Sequence, residues 1–258
     1  MDDNALVVDA SDLTKIYPAQ IGQPAKVGLS GLTLQVARGE TFGLLGPNGA
    51  GKTTAQKLFL GLMRPTRGAV RIFGGRPEDP RVRTKIGFLP ENPYFYHYLT
   101  GAEFLRFCGG LFGLPAKVLA ERSANLLQLV GMTGAQRVQL RKYSKGMLQR
   151  IGIAQALIND PDLVLLDEPM SGLDPVGRRE LREIILGLKR AGKTIFFNSH
   201  ILSDVEDVCD RVGILLNGQL VALGSVPELL AGGQSLEDFF VKVVSAERPG
   251  ADPRRGER

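Results

Sequence analysis

The stretch Gly46-Pro47-Asn48-Gly49-Ala50-Gly51-Lys52-Thr53-Thr54 constrains this chain more than any other. Two glycines separated by four residues, followed by lysine and threonine, have the spacing of a loop that cradles a nucleotide's phosphates. The flanks agree with that reading. Thr41-Phe42-Gly43-Leu44-Leu45 predicts a buried strand, and Thr54–Met63 carries apolar residues at helical spacing. Glycines let the backbone curl until successive N–H groups converge on one anion. The following helix adds a partial positive charge at the same place. Lys52 is then placed to reach the β- and γ-phosphates, and the Thr53 hydroxyl to ligate Mg²⁺.

Along the chain, strands and helices alternate on both sides of a helical segment. Residues 5–17 predict two short strands, Leu6–Val8 and Leu13–Tyr17, and Leu32–Val36 a third. Ala69–Phe73 and Ile86–Leu89 follow the loop as strands. From Glu91 to Asp160 strand signals vanish, and helices are expected over Thr100–Phe112, Pro115–Val130 and Lys145–Asn159. Leu163-Val164-Leu165-Leu166 is a continuous apolar run of the kind buried in parallel sheets. A helix over Val176–Arg190, a strand over Thr194–Asn198 and a helix over Ser203–Cys209 come next. Asn217-Gly218 turns a hairpin between Val212–Leu216 and Gln219–Leu223. Ser225–Leu230 and Leu236–Val244 are expected as terminal helices, and 248–258 as a disordered basic tail. The fold class is α/β with a mostly parallel core sheet.

Composition narrows the function classes. The 258 residues are 43% hydrophobic and 23% charged, enough to bury a sizeable core. The net charge of +5 is raised by Arg248, Arg254, Arg255 and Arg258, and no basic block interleaved with aromatics suggests a nucleic-acid groove. Two cysteines, Cys108 and Cys209, form neither a disulfide framework nor a metal cluster, which fits a reducing compartment. The acidic N-terminus has no signal-peptide pattern. No apolar run reaches the roughly 20 residues of a membrane span, so any spanning segment is expected on another chain.

A second motif, Leu163-Val164-Leu165-Leu166-Asp167-Glu168, ends an apolar strand in two acids. That places them at the carboxyl edge of the sheet, where ligands of α/β folds bind. Asp167 is a candidate Mg²⁺ ligand through water, and Glu168 a candidate to polarise an attacking water. A third motif is Tyr143-Ser144-Lys145-Gly146-Met147-Leu148-Gln149-Arg150. Together with Gly46–Thr53, Leu163–Pro169, Ser171-Gly172-Leu173-Asp174-Pro175 and Asn198-Ser199-His200, it resembles an ATP-binding cassette (ABC) ATPase, with the motifs in that family's order. The resemblance covers residues 5 to about 230.

The resemblance implies a P-loop NTPase core, an N-terminal antiparallel β subdomain and an inserted α-helical subdomain. The corresponding boundaries are an ATPase domain over 5–230, with a nucleotide-binding core of 5–90 and 161–225 and a helical insertion of 91–160. A helical extension would occupy 231–247. The resemblance also implies ATP and Mg²⁺, and a head-to-tail dimer with ATP between one copy's phosphate loop and the other's Ser144-Lys145-Gly146. Tyr17 matches the aromatic that stacks on adenine, His200 the histidine that contacts the γ-phosphate, and Asp174 the loop acid that couples the two sites. From the residues alone, the alternatives are a strand-end core tyrosine for Tyr17 and a helix cap or buried histidine for His200.

Two departures stand out. The family's usual Leu-Ser-Gly-Gly-Gln is Tyr-Ser-Lys-Gly-Met here, so Lys145 adds a cation near the partner's phosphates. The family's glutamine at the junction with the helical insertion is Glu91, a metal or water ligand in the family reading and an ordinary helix N-terminal acid in the plain one. Glu91 and the tyrosine-rich Pro93–Tyr98 would dock a transmembrane partner, or pack locally within the insertion. The expected function is a Mg-ATPase subunit, peripheral on the cytoplasmic face of the inner membrane. Its expected partners are integral-membrane transporter subunits and a second copy of itself, with no nucleic acid. The Tyr-Ser-Lys-Gly-Met motif, Leu89-Pro90-Glu91 and the Leu-Glu-Asp-Phe-Phe ending resemble bacterial export-type cassettes. A soluble cassette acting on ribosomes or DNA, and a nucleotide-binding regulator without hydrolysis, are the alternatives.

Overall fold

The computed structural model describes residues 6–19, 22, 24–231 and 233–246. The expected tail over 248–258 lies outside them. Two sheets form. The first is antiparallel, in the order β2 (Lys26–Ala37), β1 (Leu6–Tyr17), β4 (Arg67–Ile72). The second runs β5 (Ile86–Leu89), β6 (Leu163–Asp167), β7 (Thr194–Ser199), β3 (Thr41–Leu45), β8 (Arg211–Leu216), β9 (Gln219–Ser225). All its neighbours pair in parallel except β8 and β9, the hairpin across Asn217-Gly218.

The parallel sheet divides the interior into two cores because its side chains alternate between faces. Phe42, Leu44, Leu163, Leu165 and Phe196 join the antiparallel sheet and α1 (Lys52–Phe59). Phe196 stacks on Phe42 at 5.5 Å and meets Phe59 edge-on at 5.2 Å. Val164, Leu166, Ile195 and Phe197 face the opposite core. That core takes in α3 (Gly101–Leu111), α4 (Ala116–Leu129), α5 (Lys145–Ala156) and α6 (Pro175–Arg190). Burial on both faces explains why β3, β6 and β7 read as unbroken apolar runs.

Several expected boundaries move for local reasons. The two short strands expected over 5–17 are one strand, β1, whose register shifts around Asp12 at φ 50°. The helix after the glycine loop ends at Phe59 rather than Met63, because Gly61 takes φ 62° and its carbonyl is held by Arg83. α5 stops at Ala156 rather than Asn159, whose amide donates to the carbonyls of Thr84 and Ile86 beside β5. The helix expected over Ser203–Cys209 is the five-residue α7, Leu202–Glu206, so Cys209 lies beyond it, packed close to Gly43. A short α2 (Pro80–Arg83) precedes β5, and α8 (Val226–Leu229) and α9 (Leu236–Ala246) close the chain, α9 lying against α7.

Strand order assembles the motifs. β6, β7 and β3 are consecutive neighbours, and Asp167 pairs with Asn198 while Leu45 pairs with Ser199. The acids after β6, the histidine after β7 and the glycine loop after β3 therefore leave the same carboxyl edge.

Candidate nucleotide site

Backbone geometry makes the glycine loop. Gly46, Gly49 and Gly51 have φ of 156°, 83° and 112°. A Cβ at Gly46 would strike the Leu215 carbonyl, and one at Gly51 the Gly28 carbonyl, so both positions need glycine for space as well as conformation. Gly51 precedes α1 with no side chain to cap it, which leaves the helix's first N–H groups facing the loop. Lys52 Nζ donates to Gly46 O at 2.6 Å and Pro47 O at 3.4 Å.

The motif after β6 meets this loop from the side. Lys52 Nζ lies 3.3 Å from Glu168 Oε1. Glu168 adopts φ 50°, a costly conformation for a residue with a side chain, and its amide is fixed by the Asn198 carbonyl at 3.0 Å. Its Oε2 accepts from His200 Nδ1 at 2.7 Å and from the His200 amide at 3.3 Å, while Oε1 has no hydrogen-bond donor. Asp167 is buried and accepts from Thr53 Oγ1 at 3.1 Å and Asn198 Nδ2 at 3.1 Å. Burial pushes the Asp167 carboxyl above the usual carboxylate range, against the pull of Asn198, Thr53 and Lys52.

Thr53 and Asp167 thus bring a hydroxyl and a carboxylate together from positions 114 residues apart. Hard oxygen donors suit Mg²⁺, which keeps several waters and takes the rest of its ligands from a phosphate-bearing substrate. Among the described residues no group of three His, Cys, Asp or Glu could hold an ion unaided. This pair of donors, a hydroxyl and a carboxylate, fits an ion that takes its other ligands from phosphate and water.

A cavity of about 470 Å³ runs from Tyr17, Lys26 and Gly28 past the glycine loop to Glu91 and Glu168. Tyr17 is half-buried at its outer end, its hydroxyl 3.1 Å from Thr54 Oγ1. Gly28 leaves space for that ring, because a Cβ there would lie 2.6 Å from it. Glu91, just beyond β5, is exposed and also lines the cavity.

The remaining expected residues sit elsewhere on the chain. Ser144, Lys145, Gly146 and Asp174 line a second cavity of about 530 Å³. Ser144 caps α5 by accepting from the Met147 amide at 3.3 Å, and Asp174 caps α6 by accepting from Gly177 at 2.7 Å. The Lys145 ammonium lies against Gly172, where any side chain would collide with it. No residue lines both cavities. Tyr94, Tyr96 and Tyr98 are exposed, Tyr94 at 86%, and Tyr96 packs edge-on to Phe107 at 5.1 Å. Phe95 from the same stretch turns inward onto Phe104, so the local-packing reading holds for that residue.

Sequence reasoning missed Asn198, Lys26 and Gly28 as parts of the site. Asn198 left a signal, a polar amide directly after the apolar Ile195-Phe196-Phe197. Lys26 left none, since it enters the cavity only through its pairing with Tyr17 across β1 and β2.

Comparison with known proteins gives one answer. The profile of the family described as ABC transporter matches residues 29–171. An uncharacterised ABC transporter ATP-binding protein of Nostoc is 59% identical over 87% of this chain and 68% of its own length. A fluoroquinolones export ATP-binding protein of Mycobacterium tuberculosis is 42% identical over 86% of this chain and 72% of its own length. A solved ATP-binding subunit of an ABC transporter superposes with a TM-score of 0.81 at 34% identity, covering 92% of this chain and 99% of that one.

Proposed function

The chain belongs to the ABC transporter ATP-binding proteins, and on that premise we propose that it is the ATP-hydrolysing subunit of an exporter. In this reading it closes on a second copy of itself around ATP and drives membrane-spanning subunits carried on other chains. The observation that carries the proposal is the convergence of Lys52, Glu168 and His200, linked at 3.3 Å and 2.7 Å across three strand ends.

Each residue has a task the geometry suits. Backbone N–H groups of Gly46 and 48–54 and the Lys52 ammonium hold the β- and γ-phosphates, and Tyr17 stacks on the adenine. Thr53, Asp167 and Glu91 would hold Mg²⁺, which would neutralise charge on the phosphate oxygens. Glu168 accepts the proton of the attacking water, while His200 pins Oε2 and the Lys52 ammonium lies 3.3 Å from Oε1. Lys52 and His200 then stabilise the charge on the transferring group.

Ser144, Lys145, Gly146 and Asp174 serve the nucleotide of the opposite copy. Their own cavity is separate from the phosphate loop, which supports a head-to-tail dimer. The exposed Tyr94, Tyr96 and Tyr98 beside Glu91 supply the docking surface for the membrane partner. The peripheral place on the inner membrane's cytoplasmic face rests on the family; among the described residues no helix is long and apolar enough to cross a membrane. The export direction rests on relatives such as the fluoroquinolones export protein.

The test is Glu168→Gln in the complex with its membrane partners. We expect phosphate release to fall by about 10²-fold or more while ATP stays bound and a dimer accumulates in light scattering. Unaltered turnover would indicate a regulator without hydrolysis. Stable copurification with ribosomes or DNA, and with no integral-membrane protein, would replace the transport reading.

A further inference from the structure

Tyr143, the residue before Ser144, makes a hydrogen bond that the family's usual leucine has no group to make. Its side chain is buried, and its hydroxyl donates to the Ala135 carbonyl at 2.8 Å. Ala135 ends the short 3₁₀ helix Thr133–Ala135 that follows α4. The hydroxyl fits because α3 opens with Gly101, where a Cβ would lie 2.5 Å from the phenol oxygen. Tyr143 and Gly101 are thus a matched pair, one supplying an oxygen and the other the room for it.

The bond completes a clasp between two segments. Ala102 N donates to Gln136 O at 3.0 Å, Leu140 N to Leu99 O at 2.8 Å and Arg141 N to His97 O at 3.1 Å. Nearer the second cavity the backbone bonds turn local, with Lys142 N on Gln139 O and Tyr143 N on Leu140 O. Ser144 follows at once. It is exposed, lines the second cavity, and its hydroxyl accepts only from within α5, at the Met147 amide. Its place is therefore set largely by the residue before it. A buried hydroxyl pulled from its acceptor costs more than the bond itself contributes, so the Tyr143 ring keeps to one position.

We propose that Tyr143 is a positioning residue for the nucleotide of the opposite copy. Its hydroxyl, bonded to the Ala135 carbonyl in the space left by Gly101, fixes where Ser144 stands in the second cavity. The inference rests on the reading of Ser144 as a donor to that nucleotide.

Tyr143→Phe, Gly101→Ala and the double variant separate the bond from the packing. A Cβ at 101 collides with the phenol oxygen but lies 3.5 Å from the ring carbon that bears it, an ordinary contact. The double variant therefore packs, yet leaves the Ala135 carbonyl without the phenol. In the full-length chain we expect the urea midpoint to fall in Gly101→Ala and to recover in the double variant. In the complex with membrane partners, kcat should fall about fivefold in Tyr143→Phe, the scale of one hydrogen bond, and stay low in the double variant. The affinity of the free chain for a fluorescent ATP analogue should stay within about twofold in both, because Tyr143 lies outside the phosphate-loop cavity. Turnover that recovers together with stability in the double variant would overturn the inference and leave Tyr143 a space-filling residue. Unaltered turnover in Ser144→Ala would instead overturn the reading of Ser144 on which it rests.

Discussion

The Lys52 ammonium and a Glu168 carboxylate oxygen lie 3.3 Å apart, with side chains only 6% and 7% exposed. The two belong to different motifs and to the ends of different strands, and each needs the other in so dry a place. A buried charge deprived of its partner is strongly destabilising. Lys52→Met leaves Glu168 buried with only His200 beside it, and should lower the stability of the nucleotide-free chain by about 3 kcal/mol. Glu168→Gln leaves Lys52 with the Gly46 and Pro47 carbonyls to accept from it, and should cost less. Urea unfolding of both variants checks this; no loss in Lys52→Met would contradict the pairing.

Tyr17 offers a ring to the nucleotide cavity and a hydroxyl to Thr54, at 3.1 Å. Stacking needs only the ring. Tyr17→Phe should keep ATP affinity within about twofold, whereas Tyr17→Ala should lose about 1–3 kcal/mol of binding, the range measured for base–aromatic stacks. Titration with a fluorescent ATP analogue separates the two. A large loss in Tyr17→Phe would show that the hydroxyl, through Thr54, matters more than the ring.

Two carboxylates should respond to pH with opposite signs. Asp204 is pushed above its ordinary 3.8 by burial, so its contribution to stability is full below 3.8 and is lost as pH rises through the raised value. The stability of Asp204→Asn relative to the unaltered chain should therefore climb as pH rises above 3.8, then level off. Asp160 is pulled below 3.8 by its hydrogen bond from Lys193, so its contribution is present above 3.8 and lost as pH falls through the lowered value. The deficit of Asp160→Asn should be widest near neutrality and shrink in acid. Urea midpoints from about pH 3 to pH 8 test both; parallel curves would contradict the assignment.

The cysteines should be inert while the chain is folded. Cys108 and Cys209 are both buried, and burial pushes the Cys108 thiol up to about 11 and Cys209 higher still. Only the thiolate reacts, so alkylation of Cys108 at pH 8 should run about 100-fold slower than that of a free cysteine, before any loss of access is counted. Mass spectrometry of iodoacetamide-treated protein, native against urea-unfolded, reads this directly. Rapid labelling of the native chain would show that α3 opens easily.

Much of the molecule was legible residue by residue. The apolar runs at Thr41–Leu45 and Leu163–Leu166 read as buried strands because parallel strands covered on both faces carry no alternation. The Asn217-Gly218 turn was equally plain. The ends of helices were less so. α5 stops where Asn159 donates to carbonyls distant in sequence, which nothing local announces, whereas α1 stops just before Gly61 at φ 62°. Asn198 read only as the first residue of the Asn198-Ser199-His200 motif, and the pairing of β6 with β7 shows that its amide supports Asp167.

The sequence by itself determined the kinds of groups this protein brings to a nucleotide. A glycine loop before a helix binds phosphate through backbone N–H groups, and two acids after an apolar strand have to emerge at a sheet edge. Both follow from short-range geometry. Tertiary structure alone decided which strand lies beside which, and so which side chains meet. The order β6-β7-β3 sets Glu168 between Lys52 and His200, while leaving Ser144, Lys145 and Gly146 at a separate cavity. Strand order arises from long-range burial on the two faces of one sheet, and no local pattern of residues encodes it.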